Sequence, residues 1–357
     1  MPRSSGPRGR RAVFATLAAG ALALSACETG VDEAAAIDDV PSCEEIDLGE
    51  PPADPVEIRF GAQPANQEPA SLQYADPELA GAEHYGSWYT IDADIYPPAD
   101  RLDAFQADEI HAGTASVPQL ARAAAQDLPL RSVASTTLEA GDGFATAFAA
   151  LQGSGIDDLA DLEGKRIGIL DPVTSTAYWA RSAVSAADLN PDQDVELVAI
   201  PPAEQEEALR SGTIDVAVLP QPFYEIAERT GGIEVVFDSR TGPGIDQELI
   251  QVFFGIDFIA ENPEAYCAWR EDYRAAVDAY EADREGALRA MHEAEAIRVP
   301  DLEVMIDAED YARPEGGAID VANLDEVIDN MVEVGFLNPN QSIPADELIL
   351  EGFSLVR

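Results

Sequence analysis

The 357-residue chain has a single lysine, Lys165, only three histidines and three cysteines, and 21 basic residues set against 68 acidic ones. Such an excess of carboxylates, spread along the chain and not gathered in a tail, argues against a nucleic-acid surface, whose phosphates it would repel. His84, His111 and His292 stand far apart, and no paired His or Cys spacing exists. The acidic runs also lack the glycine and glutamate positions of a calcium loop, so the pattern supports no metal site and no cofactor. No Ser-His-Asp spacing is legible, and "LEGKR" (162–166) lacks the glycine-rich lead and the hydroxyl residue of a phosphate loop. The expectation is a protein that is not an enzyme. Dispersed acidity of this kind suits a salty or alkaline medium, where ions screen like charges over about 10 Å.

The apolar run AVFATLAAGALALSA (12–26) follows Arg3, Arg8, Arg10 and Arg11 and is shorter than the ~20 residues of a membrane-spanning helix. It reads as an export signal over residues 1–26. "LSAC", ending at Cys27, resembles the lipobox of bacterial lipoproteins, which implies a lipid on Cys27 and anchorage to the outer face of the cell membrane. Residues 27–55 are acidic, proline-containing and aperiodic, and are expected to form a tether reaching roughly 30 Å. Within it lies Cys43. Either Cys43 and Cys267 bridge the tether to the body, or Cys267 is a buried free thiol on a helix.

Beyond the tether the chain repeats itself. AFQADEIHAGTASVP (104–118) and ALRSGTIDVAVLPQP (208–222) share a helix end, a turn, an isoleucine, a short apolar strand and a proline. Upstream of them lie WYTIDADI (88–95) and VELVAI (195–200), each followed by a proline pair, and further upstream VEIRFGAQP (56–64) and KRIGILDP (165–172). Two copies of strand, helix, strand, helix, strand predict an α/β fold with two lobes, each a mostly parallel sheet flanked by helices. Lobe 1 is expected over 56–138 and 250–357, and lobe 2 over 139–249. The segments 129–151 and 233–259 would then be two hinge crossings. A stripe of Tyr266, Trp269, Tyr273, Val277 and Tyr280 at helical spacing is expected to pack on lobe 1, and Gly335 to stop a late helix.

Ligands of parallel sheets sit at the carboxyl ends of the strands. The loop after Asp171 offers Thr174, Ser175 and Thr176 at a helix start, where N–H groups and the helix dipole favour a negative group. Gln63 occupies the matching loop of the first copy, Thr114 and Ser116 end its third strand, and Gln221 ends the corresponding strand of the second. Arg240 is the expected cation for an anionic ligand and Trp88 the expected aromatic contact. Lys165, just after the acidic turn ending at Glu163 and Gly164, is expected to face that turn's carbonyls and not the cleft.

With "DLADLEGKRIGIL" (158–170), "ALRSGTIDVAVLPQP" (208–222), "DFIAENPEA" (257–265) and "IDVANLDEVIDNMVEVGFLNP" (319–339), the chain resembles the substrate-binding proteins of ABC importers. The resemblance is to the SsuA-like family that binds nitrate, sulfonates, taurine and thiamine precursors, with a periplasmic-binding-protein type 2 fold. It implies a monomeric, extracytoplasmic receptor for a small sulfonate-, taurine- or nitrate-like anion, partnered by an ABC permease and ATPase. The alternatives it leaves are a thiamine-precursor-like pyrimidine or amine as ligand, or a sensor or enzyme on the same fold.

Overall fold

The computed structural model describes residues 37, 40–63, 69–98, 100–141, 143–341 and 343–357. Signal residues 1–26 and Cys27 lie outside them. The described strands are β1 (Val56–Ala62), β2 (Tyr89–Ile95), β3 (Ala112–Ser116), β4 (Leu130–Glu139), β5 (Ala147–Leu151), β6 (Arg166–Ile169), β7 (Glu196–Ala199), β8 (Ala217–Leu219), β9 (Ile233–Asp238) and β10 (Gln247–Gly255). Helices α1 (Pro69–Ala75), α2 (Pro77–Ala80), α3 (Asp100–Gln106), α4 (Val117–Ala124), α5 (Ser175–Ala186), α6 (Gln205–Arg210) and α7 (Phe223–Thr230) connect them. After β10 come α8 (Ile256–Glu261), α9 (Pro263–Ala282), α10 (Arg284–Glu293), α11 (Leu302–Asp307) and α12 (Val321–Glu333).

The first sheet runs β2-β1-β3-β10-β4. Its first three strands are parallel, as the intervening helices require, while β10 runs antiparallel between β3 and β4. In the second lobe β8-β5-β9 and β6-β7 are joined by the Ile167–Val216 bridge, so the order is β7-β6-β8-β5-β9. The two orders correspond position for position. In each, the strand beside the third parallel strand arrives from the other lobe: β5 after the first crossing, β10 after the second.

The same physical constraints operate in both copies. A Cβ on Gly61 would lie 2.7 Å from Ile110 Cδ1, and one on Gly168 would lie 2.8 Å from Ile214 Cδ1. Only glycine leaves room for the isoleucine that begins the third strand's approach. His111 then accepts from the backbone N–H of Arg59, and Asp215 does so from Arg166. The Asp215 carboxyl is held below its usual range by the Arg166 guanidinium, with Lys165 adding to the effect. Lys165 thus stands at the amino end of β6, its backbone N–H on the Leu162 carbonyl, remote from the carboxyl ends of the strands.

Apolar spacing of three and four puts Tyr266, Trp269, Tyr273, Val277 and Tyr280 of α9 on one face, and all five are buried. Trp269 meets Phe254 of β10 with ring centroids 4.6 Å apart, so this helix covers the first sheet. Asp283 follows α9 and caps α10 by accepting from the N–H of Gly286 in its first turn. Gly335, at φ +66°, follows the end of α12.

The expected tether is shorter than 27–55. Residues 40–48 pack on lobe 1: Ile46 and Leu48 lie against its core, and the Cys43 N–H donates to the Gly352 carbonyl at 3.0 Å. Arg270 pairs with Glu44, and Cys43 and Cys267 form a disulfide. Apolar contacts at Ile46 and Leu48, too sparse to register as periodicity, outweigh the acidic composition.

Candidate functional site

The carboxyl ends of the parallel strands of both lobes face one cavity of ≈ 310 Å³. Gln63 comes from the end of β1, Arg101 from the first turn of α3, and Ser116 and Gln119 from the β3–α4 junction. From lobe 2 come Leu170 after β6, Thr174, Ser175, Thr176 and Trp179 at the start of α5, and Pro220, Gln221 and Phe223 around the β8–α7 junction. Thr146, Leu249, Ile250 and Tyr311 supply the remaining wall beside the crossings.

Equivalent positions of the two repeats line opposite walls with different chemistry. Gln63, Ser116 and Gln119 of lobe 1 correspond to Leu170, Pro220 and Phe223 of lobe 2, so at these three positions the first wall is polar and the second apolar. Arg101 corresponds to Gln205. The latter is wholly buried and spends its amide on the carbonyls of Ile169 (3.2 Å) and Ile200 (2.9 Å). Arg101 instead reaches the cavity, with Nη1 donating to Thr114 Oγ1 at 3.2 Å.

The hydroxyls around α5 divide their work. Thr174 donates to the Asp171 carbonyl (2.9 Å), and Thr176 accepts from the Leu170 N–H (3.0 Å), so both hold the turn. Thr174 occupies the N-cap position without a side-chain capping bond. The N–H groups of Ser175 and Thr176, and the Ser175 hydroxyl, find no partner among the described residues and remain for a ligand. Across the cavity, Gln119 caps α4 by accepting from the Ser116 N–H (3.1 Å) and hydroxyl (2.9 Å). Gln63 is 8 % exposed, and its buried amide nitrogen has no acceptor among the described residues. An unmet buried donor is costly, so the geometry favours an acceptor in the cavity.

Among the described lining residues none is acidic and Arg101 is the only charged one, in a chain of 68 acids. Neither α4 nor α5 carries an acid in its first turn. Their positive ends and Arg101 make the cavity a local minimum for negative charge.

Of the residues expected from sequence, Gln63, Ser116, Thr174, Ser175, Thr176 and Gln221 line this cavity. Thr114, Trp88 and Arg240 do not. Thr114 is fully buried on β3 behind Arg101. Trp88 lies in the lobe 1 core just before β2, where its carbonyl accepts from Val56 at the amino end of the sheet. The Arg240 guanidinium is turned onto the Gly141 carbonyl, tying the two crossings together. The cation that does line the cavity, Arg101, had a legible signal: PPADR (97–101) and PPAEQ (201–205) are the same helix start in the two repeats. Tyr311 and Thr146 had none, because each comes from a segment outside the repeated units.

A family model described as the NMT1-like family matches residues 99–296, more than half of the chain. Curated relatives match in pieces. A nitrate import ATP-binding protein, NrtC, of Synechococcus elongatus is 38 % identical over 71 residues, which is 20 % of this chain and 11 % of that protein. The bicarbonate-binding protein CmpA of a Synechococcus species is 28 % identical over 98 residues, 27 % of this chain and 21 % of that protein. The chain thus spans about a fifth or less of the length of the curated relatives it matches. Among solved structures, the periplasmic aliphatic sulphonate binding protein SsuA of Escherichia coli superposes with a TM-score of 0.64 at 17 % identity, covering 85 % of this chain and 94 % of that one. The desulfurization enzyme DSZB superposes at 0.58 with 17 % identity, covering 84 % and 97 %. These likenesses show a shared fold that carries both binding proteins and an enzyme.

Proposed function

The chain belongs to the NMT1-like family, and from that premise we propose that it is the solute-binding component of an ABC importer that closes its two lobes on a small organic anion. One observation carries the reading: Arg101, the unmet Gln63 amide and the free N–H groups of α5 converge on a cavity whose described walls hold no carboxylate. The polar wall of lobe 1 suits an anionic head group, and Leu170, Phe223, Pro220 and Trp179 opposite suit a short apolar tail. At ≈ 310 Å³ the space is at the small end of ligand pockets. The bicarbonate-binding relative supports transport over catalysis, and the disulfide supports an exported, oxidising location. Delivery of the solute to a permease, lipid attachment at Cys27 and a monomeric state complete the proposal.

The test is a thermal-shift and calorimetric screen of methanesulfonate, taurine, nitrate, bicarbonate and an aminopyrimidine at high salt, where the global charge of −47 is screened. A binder at a hundred times its Kd stabilises the fold by about 2.7 kcal/mol. Methanesulfonate or taurine should raise Tm most. A second reading, a flat pyrimidine-like ligand, is favoured by Trp179, Phe223 and Tyr311 on the walls. It replaces the first if the aminopyrimidine alone raises Tm.

A further inference from the structure

Glu139 ends β4, where the chain leaves lobe 1, and its side chain is completely buried. Its Oε1 accepts from the Thr146 hydroxyl at 2.6 Å, and Oε2 accepts from the Thr146 N–H at 3.1 Å and the Ser239 hydroxyl at 2.6 Å. Thr146 belongs to the first crossing and lines the cavity; Ser239 begins the second crossing. The contacts continue in both directions. The Thr146 hydroxyl lies 3.3 Å from that of Tyr311, which also lines the cavity. On the other side Gln247, paired with Glu139 across β4 and β10, donates to the Ser239 carbonyl and accepts from the Trp179 indole at 2.6 Å. The chain Tyr311, Thr146, Glu139, Ser239, Gln247, Trp179 therefore begins and ends on the cavity wall and passes through both crossings.

We propose that Glu139 is a positioning residue that clasps the two crossings and couples them to the cavity, taking up a proton from solvent when an anion enters. The second half rests on the anionic-ligand reading. A protonated Glu139 would donate to Thr146 Oγ1, and the Thr146 O–H, released from the carboxylate, would turn toward the cavity as an additional donor. The ionisable groups facing Glu139 are Arg240 from the second crossing, Tyr311 from the segment after α11, and beyond Tyr311, Glu225 of α7. The facing residues Thr146 and Gln247 are neutral. The Arg240 guanidinium donates to the Gly141 carbonyl, so burial prevails and raises the Glu139 carboxyl to about 7. An anion in the cleft raises it further, so binding tightens as pH falls.

Two measurements test this. In ligand-free protein, Trp179 fluorescence should titrate near pH 7; the transition should persist in Glu225→Gln and vanish in Glu139→Gln. With methanesulfonate, Kd should tighten roughly fivefold from pH 8 to pH 6 if the anion raises the carboxyl by about one unit, and Glu139→Gln should be flat. Should Glu139→Gln fail to fold, Ser239→Ala, which removes one donor to the carboxylate, should move the fluorescence midpoint upward. A transition that survives in Glu139→Gln, or an unmoved midpoint in Ser239→Ala, overturns the clasp. If the fluorescence transition behaves as expected but no anion binds, the clasp stands, and both the proton coupling and the anion reading fall.

Discussion

Replacing Arg101 by glutamine tests the site with the residue that the second repeat itself uses. At the equivalent position Gln205 folds against Gly168 as Arg101 folds against Gly61, where a Cβ would lie 3.5 Å from Arg101 Cγ. Gln205 is satisfied there by two backbone carbonyls and by the Val218 N–H at 3.3 Å. Glutamine at 101 meets the corresponding backbone, so the fold should tolerate it, with a Tm change of a few degrees. A hydrogen bond to a charged partner contributes about 1.5–3 kcal/mol, which is roughly 10- to 150-fold in affinity. Calorimetry with methanesulfonate in high salt should therefore show Kd weakened at least tenfold in Arg101→Gln. An affinity within twofold of wild type would refute the assignment of Arg101 to the ligand. A loss of Tm without a selective loss of affinity would assign it to packing instead.

Ser175→Ala should weaken the same ligand by about 1 kcal/mol, or several-fold, by calorimetry, whereas Lys165→Arg should leave Kd unchanged because Lys165 lies at the other end of β6. Reducing the Cys43–Cys267 disulfide, which spans 224 residues, removes a chain constraint of at most about 5 kcal/mol and should lower Tm in a scan with and without reductant. It should also expose residues 40–48 to protease. Gly168→Ala sets a Cβ 2.2 Å from Gln205 Oε1 and 2.8 Å from Ile214 Cδ1, and should cost about 1–3 kcal/mol in urea unfolding. The raised Glu139 carboxyl makes the folded state bind its proton more tightly than the unfolded chain does. Its contribution is full below pH 4.5 and is lost as pH rises through about 7, at most about 3 kcal/mol; urea unfolding of Glu139→Gln across that window should lack this loss.

The fold was largely legible because a duplicated unit repeats its constraints. Gly61 with Ile110 and Gly168 with Ile214 are the same steric requirement written twice, about a hundred residues apart. The loop residues that reach the cavity followed from strand direction, since every parallel strand delivers its carboxyl end to the same side. Thr114 misled because it shares a face of β3 with Ser116 but lies two residues further from the strand's carboxyl end, where Arg101 covers it. Arg240 misled because its position near a crossing was readable but the direction of a long side chain was not; it meets the Gly141 carbonyl.

The chain's own pattern determined the alternation of strands and helices, the two lobes, and which loops gather at the cleft, because periodicity and turn residues act locally and a repeat doubles their signal. Tertiary structure alone decided that the Arg240 guanidinium turns onto the Gly141 carbonyl and not into the cleft, that Thr146, Tyr311 and Glu139 meet beside the cavity, and that Cys43 finds Cys267. Those outcomes depend on contacts between segments far apart in the chain, on burial of single side chains, and on which neighbour a carboxylate or guanidinium reaches. None of these leaves a mark in local sequence. The absence of carboxylates from the described cavity walls, in so acidic a chain, is likewise a property of the folded surface and not of composition.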